Sequence, residues 1–399
     1  MRIHHNPGRR QAASIPVYTF TLAVVMLGAT LPTPMYHLYG EQWGFSVLTT
    51  TVVFATYTAA VLAALVLFGR WSDVVGRRPV LLAAAALAIA SSLVFLGAGS
   101  VAELLVGRAL SGLSAGIVTG TATAAILESG PPQHRARNAA VAAAANLGGL
   151  GAGPILAGLL IEYAPAPLHL SFAVHLGLVV SAVVAVLLTP ETSPCHGRLG
   201  WQRLSVPGEA RAVFAVAAAA AFAAFAVNGL FASVAPLFVS SLMGIDNQAV
   251  GGAVAGSMIV TAAVVQPVAT LIRPHRAVVA GCALLVVAMI VLMAALRFAN
   301  LSGLIAAAAI AGAGQGLGFG RGLAAVSDRT PPERRAEVSS AYFLVAYVAV
   351  LLPVVGFGAA AQAWGLQRSG EVFAAIVGVL AVACLTTIAV QQPRPAPTL

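Results

Sequence analysis

Long apolar segments separated by short polar ones run through the whole chain. Twelve of these segments reach the length of about 20 residues that an α-helix needs to cross roughly 30 Å of hydrocarbon. Backbone groups in lipid must bond within their own segment, so the pattern predicts an all-α membrane protein. The predicted spans are 15–35, 47–67, 80–100, 102–126, 139–161, 168–189, 211–238, 249–272, 277–297, 301–325, 338–362 and 371–391.

The composition agrees with a membrane protein and disfavours some classes of function. Hydrophobic residues make up 59% of the 399 positions, charged residues make up 8%, and the mean hydropathy is +0.93, which is outside the range of soluble domains. Cys195, Cys282 and Cys384 are isolated and have no metal-binding or disulfide spacing. The sequence contains no catalytic triad, metal cluster or phosphate loop, which disfavours a membrane enzyme or sensor.

The arginines predict the orientation of the chain. Seventeen of the 21 fall on one side when the N-terminus is placed in the cytoplasm, and two fall on the other side. This asymmetry is typical of cytoplasmic loops and predicts that both termini are cytoplasmic. It also accounts for the net charge of +9 without a role in binding nucleic acid.

The loop after the second span concentrates charge in a chain that has little. Gly69, Asp73, Gly76, Arg77 and Arg78 give the spacing G-x-x-x-D-x-x-G-R-R. Glycines allow two helices to turn sharply, and arginines hold a loop in the cytoplasm. The spacing resembles the signature between helices 2 and 3 of the major facilitator superfamily of secondary transporters. The alternative is a turn that only fixes topology.

The chain also repeats itself in the same orientation, with an offset of 200 positions. Seven residues recur in the second copy: Gly112, Gly116, Gly120, Pro131, Pro132, Arg135 and Gly158. A parallel repeat of this kind predicts two six-helix halves. The predicted divisions are a tail 1–14, a first bundle 15–189, a central cytoplasmic loop 190–210, a second bundle 211–391 and a tail 392–399.

The fourth span contains a cation on a stripe of small residues. Arg108 precedes Gly112 and Gly116 at four-residue spacing, so all three should face protein and not lipid. A charge inside a span costs about 2.5–3.5 kcal/mol or more and needs compensation. The pattern resembles the superfamily signature of helix 4, whose arginine is implicated in proton movement or substrate charge. The second copy has Ala308 in place of Arg108. The alternative is an arginine that extends its head group to the membrane surface.

The fifth span combines glycines with a proline. Gly149, Gly153, Pro154 and Gly158 resemble the helix 5 motif of proton-coupled drug exporters, with Ala157 in place of its penultimate glycine. Proline removes a helix hydrogen bond and glycines thin the helix, which suits a segment that repacks between two states. An ordinary packing face is the alternative.

Several polar residues are further candidates. Glu128 ends the fourth span near the charged loop and could join Asp73, Arg77 and Arg78 in a cluster that holds the two halves together in one state. The alternative is a solvated acid at a helix end, which would contribute little. His175 in the sixth span could titrate, although a structural histidine is commoner. Asn228, Gln266 and Gln315 lie inside spans and could line a cavity or bond a neighbouring helix. Tyr36, His37 and Tyr39 predict an interfacial belt at the end of the first span.

The resemblance implies a transporter of a small molecule, with two six-helix bundles in a bacterial inner membrane, acting as a monomer. It implies no cofactor, with a proton gradient as energy source. The motif of the fifth span favours a proton-driven exporter of amphiphilic molecules, and an uptake permease for a sugar or organic acid is the alternative. All 12 acids fall in loops or near span ends, so no obvious proton carrier lies inside a span.

Overall fold

A computed structural model describes residues 14–69, 71–191 and 205–390. Twelve helices there are long and apolar enough to cross a membrane, which confirms the predicted all-α fold. The predicted tails, apart from Ser14, and most of the predicted central loop lie outside the described residues. We label the helices α1 Ser14–Trp43, α2 Val47–Phe68, α3 Arg77–Leu96, α4 Val101–Glu128, α5 Arg135–Tyr163, α6 Leu170–Leu187, α7 Gly208–Leu242, α8 Gln248–Ala269, α9 Pro274–Arg297, α10 Leu301–Ser327, α11 Pro332–Trp364 and α12 Leu366–Val390.

The first helix is longer than predicted and is interrupted. Its two helical parts, Ser14–Thr30 and Met35–Trp43, flank a turn that contains Pro32 and Pro34, because proline has no N–H to continue the helix. One face of the second part packs into the interior of the protein. Tyr36 and Tyr39 are each only 2% exposed, so the predicted interfacial belt is wrong for these two residues.

The helices alternate in direction across the bundle. The hydroxyl of Tyr18 donates to the carbonyl of Pro190 at 3.1 Å, which places the start of α1 beside the end of α6. We call this end of the molecule, where α1 begins and α12 ends, the terminal side. The other end is called the opposite side. Four of the helices that begin on the opposite side, α2, α4, α8 and α10, are capped by the side chains of Ser46, Ser100, Asn247 and Asn300, each of which accepts from a backbone N–H.

The sequence repeat is visible in the packing of each half. A Cβ added to Gly112 on α4 would lie 2.3 Å from the carbonyl oxygen of Tyr57 on α2. A Cβ added to Gly312 on α10 would lie 2.2 Å from the carbonyl oxygen of Met258 on α8. Glycine is therefore needed at both positions, because the backbones of the paired helices touch.

The two halves meet through α5 with α8 and through α2 with α11. An added Cβ at Gly158 would lie 2.5 Å from the carbonyl oxygen of Gln248, and one at Gly252 would lie 2.2 Å from that of Pro154. In the second interface an added Cβ at Gly358 would lie 3.0 Å from the Cα of Leu48. These contacts extend from the middle of the bundle to the opposite side.

Candidate functional site

Arg77 is the centre of the charged loop. Its guanidinium pairs with Asp73 at 2.6 Å and with Glu128 at 2.7 and 3.1 Å, and it also donates to the hydroxyl of Ser72 at 2.5 Å. Arg77 is only 6% exposed, because a short helix, Trp71–Val75, lies over the start of α3. The arrangement ties the 2–3 loop to the end of α4.

Glu191 caps the start of α3. Its carboxylate accepts from the backbone N–H of Arg77 at 2.8 Å and from that of Arg78 at 3.0 Å. Gly76 adopts φ +112° beside it, and an added Cβ there would lie 2.7 Å from a carboxylate oxygen of Glu191. The side chain of Arg78 donates to the carbonyl of Leu187. The loop is thus fixed to the end of α6 as well.

This charge cluster connects helices of one half only. Asp73, Arg77, Glu128 and Glu191 all lie in the first six helices or in the segments directly attached to them, so in this state the cluster does not hold the two halves together as the sequence suggested. The reason is geometric, because a cavity separates the end of α4 from α11. In the second half the chain has Ala277 at the position equivalent to Arg77.

That cavity lies between the halves on the terminal side and measures about 530 Å³. It is lined by α2, α4, the start of α5 and α11. Its wall is mostly apolar, with three threonines of α4 and the side chain of Tyr347 adding hydroxyl groups. Glu128 and Arg135 bring opposite charges to its edge. Representative lining residues are Leu65, Gly69, Thr119, Glu128, Arg135 and Tyr347.

Arg108 is fully buried and does not extend to the membrane surface. Its Nη1 donates to the carbonyl of Ala29 at 2.6 Å, just before the turn that interrupts α1. Its guanidinium carbon lies 4.4 Å from the ring centroid of Tyr57 and 5.6 Å from that of Phe54, in the range of cation–π contacts. Nε and Nη2 are buried and have no hydrogen-bond partner among the described residues. Arg108 therefore connects α1, α2 and α4, and its Nε and Nη2 groups can still donate hydrogen bonds.

Arg108 does not line the terminal-side cavity. The nearest lining residue on its helix is Gly116, eight residues further along, which corresponds to about 12 Å of helix. A molecule in this cavity would thus remain more than two helical turns away. Only a rearrangement of the bundle could bring the two together.

His175 joins three helices of the first half. Its Nε2 lies 3.2 Å from the carbonyl oxygen of Val24 on α1, and its Nδ1 lies 2.8 Å from the hydroxyl of Ser92 on α3. A carbonyl only accepts, so Nε2 must carry a proton. In the neutral ring Ser92 then donates to Nδ1. In the charged ring Nδ1 donates to Ser92, whose hydrogen can turn to the carbonyl of Ala88 at 3.0 Å. Rotation of the Ser92 hydroxyl therefore lets His175 keep its hydrogen bonds in both the neutral and the charged state.

The glycines of the α5 motif face two different helices. Added Cβ atoms at Gly149 and Gly153 would lie 2.4 Å from the carbonyl oxygens of Ala23 and Leu27 on α1. Gly158 and Pro154 face α8 of the other half, as described above. The motif therefore lets α5 touch the backbones of α1 and α8 together. The functional role given to it by the sequence stays a prediction.

The uncharged polar candidates divide into a pair and a single residue. Asn228 on α7 donates to the side-chain oxygen of Gln315 on α10 at 3.2 Å, which is an interhelical bond inside the second half. Gln266 on α8 is half-buried, near Gly320. Arg321 on α10, the other arginine inside a predicted span, has a buried Nε with no hydrogen-bond partner in the described ranges.

Sequence reasoning missed three residues that the structure makes prominent. Glu191 lies in the predicted central loop, and its role as a cap on α3 appears only in the structure. Tyr57 lies beneath the guanidinium of Arg108, but nothing in the sequence distinguishes it from other aromatic residues of an apolar span. Glu162 looked like an ordinary acid at a helix end, but it accepts from the backbone N–H of Gln248 in the other half at 2.9 Å.

Comparison with known proteins agrees with this architecture. No curated protein sequence matches the chain. A bacterial homologue of the human lysosomal transporter Spinster, solved inward-facing and unoccupied, has a TM-score of 0.75 at 15% identity, covering 98% of this chain and 100% of that one. A POT family transporter in complex with 5-aminolevulinic acid has a TM-score of 0.78 at 12% identity, covering 96% and 97%.

A third solved structure is the human organic anion transporter MFSD10, with a TM-score of 0.65 at 19% identity, covering 96% of this chain and all of that one. At these identities the three likenesses show the fold alone. The sequence model of the Major Facilitator Superfamily matches residues 18–353 and 216–398, and so covers nearly the whole chain. The protein is an integral, multi-pass membrane protein, and it belongs to the major facilitator superfamily of transporters.

Proposed function

We propose that this transporter is a proton-driven exporter of small amphiphilic molecules that works by alternating access. The observation that carries the proposal is the asymmetry between the two ends of the bundle. The halves touch backbone to backbone toward the opposite side, at Gly158 and Gly358, and a cavity of about 530 Å³ separates them on the terminal side. One state of a rocking cycle would have this geometry.

The cavity supports an amphiphilic substrate of modest size. Pockets of about 300–1,000 Å³ suit drug-sized ligands. The wall is apolar apart from hydroxyl groups, and Glu128 and Arg135 place both signs of charge at the edge. Such a mixture favours a molecule with an apolar body and one polar or zwitterionic end over a strongly cationic one.

Arg108 and His175 are the proposed coupling residues. Arg108 has two buried donors that find no partner in the part of the chain that the structure describes, and an anionic group or an ordered water would satisfy them. His175 can keep its hydrogen bonds in both charge states through Ser92. Both side chains contact α1, at Ala29 and Val24, so a proton or an anion at either one would act on the same helix.

We propose a bacterial inner membrane as the location, with the terminal side in the cytoplasm and the protein acting as a monomer with a small-molecule substrate. The arginine distribution supports this orientation. Reporter fusions after residue 42 and after residue 399 test it, because they should report opposite sides. Signals from the same side would overturn the topology.

The function is tested in energised inverted membrane vesicles with a panel of fluorescent amphiphiles. An exporter should accumulate substrate in the vesicle lumen, and a protonophore should abolish the accumulation. Vesicles that contain the Gly153→Leu variant at equal protein level provide the control. Accumulation only in right-side-out vesicles would instead establish an uptake permease, which is the competing function.

A further inference from the structure

Two polar contacts join the halves on the opposite side, and they are related by the sequence repeat. Glu162, near the end of α5, accepts from the backbone N–H of Gln248 at the start of α8, at 2.9 Å. Gln362, near the end of α11, donates to the hydroxyl of Ser46 at the start of α2, at 2.8 Å. Glu162 and Gln362 are 200 positions apart, and their partners are the first residue of α8 and the N-cap residue of α2.

From this geometry we infer that Glu162 and Gln362 are positioning residues that hold the opposite side closed, and that Glu162 is a proton-binding site that weakens this closure. The inference deepens the proposed function, on which it rests, by naming a group where a proton from that side would act. Glu162 is exposed, so such a proton can reach it.

Each contact lies next to the glycine that permits close approach. Gly158 is one turn before Glu162 and touches the backbone of Gln248 and Ala249. Gly358 is one turn before Gln362 and touches Leu48. The glycines let the halves approach, and the polar side chains fix where the helix ends meet. Separation of the halves on this side must break both hydrogen bonds.

The two members of the pair differ in charge, and this difference is the basis of the proton effect. A carboxylate that accepts from a helix N-terminus benefits from the positive end of the helix dipole, and a charge-assisted bond is about twice as strong as a neutral one. Protonation of Glu162 removes the charge and leaves a weaker acceptor. Gln362 has no charge to lose. Acid on this side should therefore weaken the α5–α8 contact and leave the α2–α11 contact unchanged.

Other titratable groups lie on the same side of the bundle as Glu162, so a pH response of the wild type alone would not identify it. They belong to the second part of α1, to α5, to the loop after α5 and to the loop before α8, and they are His37, Glu41, Tyr163, His169 and Asp246. Of these, His37 pairs with Glu41 at 3.3 Å. The discriminating variant is Glu162→Gln, which removes the charge and keeps an oxygen acceptor.

The experiment measures the distance between the halves directly. Spin labels are placed at Pro167→Cys, in the exposed loop after α5, and at Phe298→Cys, which is 78% exposed after α9. The background carries Cys195→Ser, Cys282→Ala and Cys384→Ala. Distance distributions of the full-length protein in lipid nanodiscs are compared in neutral and acidic buffer.

We expect the population with separated labels to rise about three- to tenfold relative to the closed population when the wild type is acidified. Glu162→Gln should show this rise already in neutral buffer and respond no further to acid. Gln362→Ala should separate the labels at neutral pH and still respond to acid. Glu103→Gln is the matched control, because Glu103 is an exposed acid on the same side whose acceptor bonds, among the residues described, come from its own segment, at Gly99 and Ser100.

Identical distance distributions for the wild type and Glu162→Gln in both buffers would overturn the inference. A response of Glu162→Gln to acid equal to that of the wild type would overturn the role of Glu162 as the proton site. The measurement involves no substrate and no proton gradient. A negative result here is therefore distinguishable from a failure of proton-driven export, which the vesicle assay tests separately.

Discussion

Arg77 and Glu128 form a two-point contact between the start of α3 and the end of α4, with nitrogen–oxygen distances of 2.7 and 3.1 Å. Paired hydrogen bonds of this type fix orientation as well as distance, since the guanidinium and the carboxylate are both planar. Glu128 also lines the cavity between the halves. Movement of α11 toward this edge would therefore meet a charge whose position is fixed.

From this contact we expect Arg77→Ala and Arg77→Lys to lower transport by at least about tenfold while the protein remains in the membrane. Lysine keeps the charge but cannot bond Asp73 and Glu128 with a planar fork. Asp73→Asn should also impair transport, because it removes one of the two carboxylates that surround Arg77. Efflux rates at matched protein levels provide the measurement. Normal turnover in all three variants would reduce the loop to a topological turn.

The cap made by Glu191 gives a prediction about stability. Glu191→Ala should lower the free energy of unfolding by about 1–2 kcal/mol, because two backbone N–H groups at the start of α3 lose their acceptor. Glu191→Gln keeps an acceptor and should cost less. Thermal melting of the purified protein in detergent measures both changes. An alanine variant that melts with the wild type would show that solvent satisfies these groups equally well.

The α5 motif gives a prediction about helix contact. Gly153→Leu should abolish transport, because an added Cβ would already lie 2.3 Å from the hydroxyl oxygen of Thr30 and 2.4 Å from the carbonyl oxygen of Leu27. Overpacking of this kind forces the helices apart. The matched control is Gly148→Leu on the same helix, where an added Cβ has open space within 4 Å. Equal efflux by the two variants would leave the motif without a mechanical basis.

The twelve spans could be predicted because the requirement to satisfy backbone groups in lipid acts locally. The repeat of Gly112 as Gly312 could likewise be found, since each glycine meets an equivalent backbone carbonyl of its own half. The cap on α3 could not be predicted, because it depends on where α6 ends in space. The burial of Tyr36 was missed for a similar reason, since the turn in α1 directs the second part of that helix into the protein.

The hydrogen-bond partners of the charged side chains could not be predicted from the sequence either. Arg108 was placed correctly on a protein-facing stripe, but its acceptor is a backbone carbonyl, and every residue has one. The contact between Glu162 and Gln248 crosses from one half to the other, so it depends on the packing of the whole bundle. Sequence spacing describes neighbours along one helix, and these contacts lie between helices.

Arg108 supports the last prediction, because it is fully buried and, within residues 14–69, 71–191 and 205–390, only one of its guanidinium nitrogens has an acceptor. Arg108→Lys retains a cation near Ala29 but loses the flat face over Tyr57, so transport should fall several-fold. Arg108→Ala removes the link between α1 and α4 and should reduce transport by at least about tenfold at near-normal expression. Arg321→Lys is the control, because Arg321 is the other arginine inside a span and lies in the second half. We expect it to transport within about twofold of the wild type. The measurement is the rate of proton-driven efflux at matched protein levels. Wild-type rates in both Arg108 variants would assign Arg108 a purely structural role.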